Sequence, residues 1–189
     1  MGAAILTMTA QAEWESWLEQ HGAESPGVWL RLAKKGAEHP TVSYAEAVES
    51  ALCFGWIDGQ KRAGDAHYWL QRFTPRTPKS IWSKINKAKA EALVTAGRVR
   101  AAGLQEIERA RKDGRWIAAY SSACTAAVPE DLEKALGANR KAKAFFATLN
   151  SQNRYAVLFR IQAVKRPETR AKKIAQFVEM LAKGEKLHP

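Results

Sequence analysis

Apolar residues recur along this chain in two rhythms, and the change between them divides it. Trp14, Trp17, Leu18 and His21 fall at i, i+3, i+4 and i+7 behind Thr9, which predicts a helix capped by Thr9 and ended by Gly22, with His21 at the edge of the core. Val28-Trp29-Leu30-Arg31-Leu32-Ala33 is rich in strand formers and bounded by Pro26-Gly27 and Gly36, so it predicts a short strand. Ser43 with Glu46 three residues on is a capping box for a second helix that turns Tyr44, Ala47, Val48, Ala51 and Leu52 to the core. Trp56-Ile57 then extends, Asp58-Gly59 makes a turn, Lys61 to Asp65 is a loop, and His67 to Phe73 is the next strand. Together these predict a small antiparallel sheet of about three strands covered by the first two helices.

From Pro78 onward the rhythm is helical. Ile81, Ile85, Ala88 and Ala92 mark one helix face ending near Gly97, and Leu104, Ile107 and Ala110 mark another ending at Gly114. Ser121 to Ala127 has small residues and no period, which predicts a linker. Beyond it Pro129-Glu130-Asp131 opens a helix stopping at Gly137. Ala142, Phe145, Phe146 and Leu149 form the next, Tyr155, Leu158, Ile161 and Ala163 a third, and Pro167-Glu168 opens a last one with Ile174, Phe177, Val178 and Leu181 inward. The fold class is α+β and mostly helical: a core over 9–116, a linker over 117–127 and a C-terminal helical domain over 128–184.

Composition adds bounds. The chain of 189 residues is 46% hydrophobic and 26% charged, an ordinary globular balance. Cys53 and Cys124 are too few for a zinc site and sit among apolar or small neighbours, so both are expected to be buried free thiols. The N-terminus has no basic region before its mild apolar stretch, and no run reaches the length of a membrane span, so a soluble, cytoplasmic protein without membrane insertion is expected. The formal net charge of +11 is uneven: residues 1–75 carry 6 Lys and Arg against 9 Asp and Glu, residues 76–124 carry 11 against 4, and residues 125–189 carry 13 against 6. The excess after Pro75 points to an anionic partner, nucleic acid first.

Candidate chemistry gathers between Phe54 and Asn86. Asp58 is expected at a sheet edge near Arg72 or Arg76, where a guanidinium would keep it ionised and make it a poor general acid. Thr77-Pro78 reads as the cap and first residue of a helix, and with Arg76, Lys79 and Ser80 it would form an anion site. Trp56, Trp69, Trp82 and Tyr68 could offer a stacking surface, with Tyr68 and Leu70 on one strand face and Trp69 and Gln71 on the other; one of those faces must be core. The candidate ligand-binding set is Trp56, Asp58, Arg72, Arg76, Lys79, Ser80, Trp82 and Asn86. A second candidate, for nucleic acid, is the basic turn of Lys165, Arg166, Arg170, Lys172 and Lys173 between two helices, spaced as in a helix-turn-helix.

No Gly-rich phosphate loop, zinc-spaced His-Glu pair or Gly-x-Ser-x-Gly elbow occurs, so no metal, no cofactor and no catalytic residue is assigned. His67 beside Asp65 reads as a hairpin histidine ahead of an oriented base.

Gly55-Trp56-Ile57-Asp58-Gly59, Arg72-Phe73-Thr74-Pro75-Arg76, Ser80-x-Trp82-Ser83-x-x-Asn86 and Ala163-Val164-Lys165-Arg166-Pro167-Glu168-Thr169-Arg170 together resemble the bacterial YdeI/OmpD-associated family, also labelled bacteriocin-protection proteins, over about Ala12 to Gly184. The resemblance implies a helix-rich α+β protein, and its label evokes a stress or antimicrobial-resistance response. It carries no reaction. Three functions stay open at this point: a non-enzymatic binder of an anionic ligand such as DNA or RNA, a pocket of Asp58, Arg72, Arg76 and Ser80 for a phosphate- or carboxylate-bearing metabolite, and a protein interaction module.

Overall fold

The computed structural model describes residues 3–121, 127–164 and 166–189. They form two compact units, Met1–Ala119 and Tyr120–Pro189. Cys124, Lys165 and residues 122–126 of the expected linker lie outside the described residues.

The first unit runs β1 (Ile5–Thr7), α1 (Gln11–His21), β2 (Val28–Ala33), α2 (Tyr44–Cys53), β3 (Trp56–Ala63), β4 (Tyr68–Pro75), α3 (Lys84–Thr95) and α4 (Ala101–Lys112). Its sheet has four strands in the order β1-β2-β4-β3, one more than expected. The extra strand, β1, is only three residues long and pairs parallel to β2, which makes the sheet mixed. A three-residue strand is too short to show an alternation, so its period carried no signal.

Alternation in β2 sets the architecture. Val28, Leu30 and Leu32 are buried while Trp29 and Arg31 point the other way, so the sheet has one core face and one open face. On the core face α1 and α2 bring Trp14, Leu18, Ala47 and Ala51 against Leu30, Trp56 and Phe73. The Trp14 ring meets Trp56 edge-on at 6.1 Å and Phe73 at 5.7 Å, within the range where aromatic pairs add to area burial. Both indoles also satisfy their N–H groups: Trp14 donates to the Ala47 carbonyl and Trp56 to the Gly22 carbonyl, each at 3.2 Å. The capping box of α2 forms as expected, with Ser43 and Glu46 exchanging hydrogen bonds.

Four local expectations are corrected. Ala10, not Thr9, caps α1; Thr9 donates from its amide and hydroxyl to Glu13 instead. Tyr44 is exposed, because the first residue of α2 precedes the turn that meets the core. Ile81 and Ile85 are exposed too, since α3 begins at Lys84 and buries Ala90 and Leu93. Asp58-Gly59 is not a turn: β3 runs on to Ala63, and Asp65 makes the hairpin turn by accepting the His67 and Tyr68 amides at 2.9 and 2.8 Å. Those two N–H bonds, the His67 one foremost, hold the Asp65 carboxyl below its ordinary range.

The second unit packs α5 (Glu130–Gly137), α6 (Arg140–Thr148), α7 (Ser151–Gln162) and α8 (Pro167–Ala182) around Leu132, Phe146, Leu158, Ile161, Phe177 and Leu181. Asn139 and Asn150 cap α6 and α7, and Pro167 opens α8 where no intrahelical N–H is needed. Buried Asn153 fastens the C-terminal tail by accepting from the His188 amide at 2.8 Å and donating to its carbonyl at 3.2 Å.

Candidate functional site

The open face of the sheet is where cations and aromatics meet within reach of solvent. Register places Trp29 opposite Arg72, Arg31 opposite Leu70, and Arg62 opposite Leu70 from the other side. The Arg62 guanidinium lies 4.9 Å from the Trp29 ring centre, Arg72 lies 5.9 Å from the same ring, and Arg31 lies 5.2 Å from the Tyr68 ring. Arg31 and Arg62 are exposed, Trp29, Tyr68, Leu70 and Arg72 are half-buried, and Ile5 on the neighbouring strand is 55% exposed. None of the three arginines has a salt-bridge partner among the described residues. Arg72 is the anchored one, its Nη2 donating to the Pro26 carbonyl at 3.4 Å.

A bulge puts Arg62 there. Asp58 pairs with Phe73 but Lys61 pairs with Gln71, so Gly59 and Gln60 together face the single residue Arg72. Continued without that extra residue, the register would turn Arg62 to the core face and Lys61 to the open one, because strand side chains alternate with period two. The bulge leaves ladder carbonyls without strand partners. Gln71, only 4% exposed, supplies them: its amide nitrogen donates to the Gly59 and Gln60 carbonyls at 2.9 and 3.2 Å.

The residues singled out from the sequence do not converge. Trp56 belongs to the helix-covered core. Asp58 lies on that same face and accepts from the Tyr44 hydroxyl at 2.6 Å, so its partner is a phenol rather than the expected guanidinium. Arg72 is on the opposite face, and one cavity cannot be lined by both. The expected helix start at Thr77-Pro78 is a turn held by the Thr77 amide donating to Ser80 Oγ at 2.9 Å, with Lys79 exposed at its tip. The cap and proline signals fit a turn equally well, and α3 starts six residues later, where Ser83 Oγ accepts from the Asn86 amide at 3.0 Å.

Arg76 and Trp82 do meet, but inside the unit. Arg76 is 5% exposed and lies over the Trp82 ring, 3.5 Å from its centre, with its Nη1 donating to the Ile81 carbonyl at 3.3 Å. Trp82 packs on Trp116 at 4.7 Å, and Arg115 ties the Ser80 carbonyl at 2.6 Å to the Asp113 carboxylate at 2.7 Å. This arrangement fixes the 76–83 loop.

In the second unit Arg170 is spent on the fold. It donates to both Asp131 oxygens at 2.6 and 3.0 Å and to the Ile161 carbonyl at 2.8 Å, joining α8 to α5 and α7 and holding the Asp131 carboxyl below its ordinary range. Arg166 and Lys172 are exposed, and Lys173 lies half-buried at 5.8 Å from the Phe177 ring. A groove of about 720 Å³ beside α5 and α8 is lined mainly by alanines, Ile174 and Val178, and its charged pair Asp131 and Arg170 is already mutually bonded. Cys53 is buried as expected, and burial pushes its thiol up, away from thiolate chemistry. Among the described residues no group of His, Cys, Asp and Glu could hold a metal ion, and no helix is long and apolar enough to cross a membrane.

Sequence reasoning missed Trp29, Arg31 and Arg62 as site residues. Alternation in β2 was a usable signal for the first two, since the same rhythm that buries Leu30 exposes its neighbours. Nothing short of the register would have shown Arg62.

No curated protein and no solved structure matches the chain. Two family models do. The Bacteriocin-protection, YdeI or OmpD-Associated model matches residues 125–184, so that resemblance is carried by the second unit and the Ala163 to Arg170 motif, not by the whole span from Ala12. The Trp-Ile-Asp-Gly and Arg-Phe-Thr-Pro-Arg motifs fall under a different model, described as Domain of unknown function (DUF8412), which matches residues 6–106. The chain therefore belongs to the DUF8412 family through its sheet-bearing unit, and carries a YdeI/OmpD-associated segment after it.

Proposed function

We propose that this protein is a non-enzymatic binding protein for an anionic ligand, nucleic acid, and that its first unit engages it through the open face of the sheet. The observation that carries the reading is the cluster of Arg31, Arg62 and Arg72 around Trp29 and Tyr68 with no salt-bridge partner among the described residues. An exposed guanidinium over an aromatic ring gains only about 0.5–1 kcal/mol, so Arg31 and Arg62 are weakly held and can reach a phosphate without breaking an ion pair. Phosphate contacts by arginine are charge-assisted and release counterions, which supplies most of the affinity of sequence-independent binding. The net charge of +11 supports the same reading by favouring encounter with polyanions.

The test is fluorescence anisotropy of a labelled oligonucleotide at about 50 and 200 mM salt, a range over which binding of this kind weakens strongly. Arg31→Ala/Arg62→Ala should weaken binding at least tenfold, while Arg166→Ala/Lys172→Ala in the second unit should change it little. Undetectable binding at low salt, or the reverse ranking of the two double variants, would overturn the reading.

A further inference from the structure

We infer that the open sheet face takes unpaired, single-stranded nucleic acid, with bases stacked on Trp29 and Tyr68 and phosphates held by Arg31 and Arg62. The inference rests on the nucleic-acid reading above and names the form of the ligand.

Three features of the face choose a single strand over a duplex. The first is its apolar floor: Leu70 lies between the arginines, and Trp29 and exposed Ile5 extend it along the sheet. A duplex shows proteins phosphates, sugars and base edges, and keeps its base faces stacked inside. Only an unpaired strand has flat apolar surfaces to lay on Trp29 and Tyr68. The second is the spacing of the rings. Trp29 is in register with Arg72, four residues along β4 from Tyr68, which at a strand's rise is about 13 Å. The two rings are therefore separate seats, and a base laid flat on either must have left its own stack, as the bases of an unpaired strand can.

The third is the exchange the arginines can make. Arg62 lies over Trp29 and Arg31 over Tyr68, so each ring that would take a base is now capped by a cation on an exposed, long side chain. Swinging each guanidinium to a phosphate would uncover its ring for a base and replace a weak cation–aromatic contact with a charge-assisted one. The Gly59-Gln60 bulge is what brings this to Trp29, since without it Arg62 would sit on the core face. Ribose and deoxyribose strands both present flat base faces and phosphates, so RNA and DNA strands are both expected to bind.

The experiment compares one mixed-sequence 12-mer, as single-stranded RNA, as single-stranded DNA and as the DNA duplex with its complement, at the same salt and with the full chain. Wild type should bind either single strand at least tenfold tighter than the duplex. Trp29→Ala should lose about tenfold on the single strands, the scale of one base–aromatic stack, and leave duplex binding unchanged; Trp29→Phe should retain most of the affinity. Tyr68→Ala provides the same reading should Trp29→Ala fail to fold by circular dichroism. Equal affinity for duplex and single strand, or loss on both forms alike with Trp29→Ala and Tyr68→Ala, overturns the single-strand inference and leaves nucleic-acid binding standing. Absence of binding to all three overturns both.

Discussion

Two arginine–tryptophan pairs in the first unit share the same chemistry and differ in almost everything else. Arg76 lies 3.5 Å from the Trp82 ring centre, both side chains are nearly free of solvent, and Trp116 and the Arg115–Asp113 pair close around them. Arg62 lies 4.9 Å from Trp29 on an exposed strand, with no salt-bridge partner among the described residues. In the first pair the guanidinium has been desolvated by folding and its position is part of the structure. In the second it is solvated and weakly held, so a ligand phosphate can recruit it without exposing a buried charge. A Trp beside an Arg is therefore not by itself a binding signal; its meaning depends on whether folding buries the pair or leaves it in solvent.

The comparison can be broken most forcefully at Trp82. Trp82→Ala should destabilise the first unit by about 3–5 kcal/mol, read from urea unfolding followed by circular dichroism, because it empties a buried aromatic site against Trp116. A cost no larger than that of Trp29→Ala would mean the two pairs are not distinct. Gln71→Leu should come next, at about 1–3 kcal/mol, since it orphans the bulge carbonyls of Gly59 and Gln60; it should also weaken oligonucleotide binding by loosening Arg62. Stability lost without any change in binding would detach the bulge from the site.

Arg170 sharpens the comparison with a third kind of arginine, one paired to a carboxylate. Asp131→Asn should cost about 1 kcal/mol, since both side chains are partly exposed. Because Arg170 lowers the Asp131 carboxyl, the pair's contribution is fully present above the ordinary aspartate range and lost as the pH falls through the lowered value. Unfolding of wild type and Asp131→Asn should thus converge in acid and differ at neutral pH. The smallest effect on stability belongs to Arg62→Ala, about 0.5 kcal/mol, as for an exposed side chain whose contact is the Trp29 ring.

How far these features could be read from the sequence follows from how local their signals are. The bounds of β2 and the capping box of α2 were legible because each is written within a few residues. The Asp58-Gly59 pair read as a turn, since the residues that make turns also make bulges, and only pairing with Gln71 and Phe73 tells them apart. Charge misled for a different reason. The first 75 residues are acidic in sum, yet Glu15 and Glu49 reach Arg98, and Glu19 reaches Arg100, so acids of α1 and α2 are spent on cations flanking α3 and α4. What remains on the open face is basic, and a count along the chain cannot see it.

The central claim, that solvated arginines of the open face meet phosphates, is tested most directly by the salt dependence of single-strand binding. For a single strand the slope of log K against log salt is about −0.7 per phosphate neutralised, so Arg31→Ala/Arg62→Ala should make it shallower by about 1.4. A slope unchanged from wild type, at any affinity, would contradict the account.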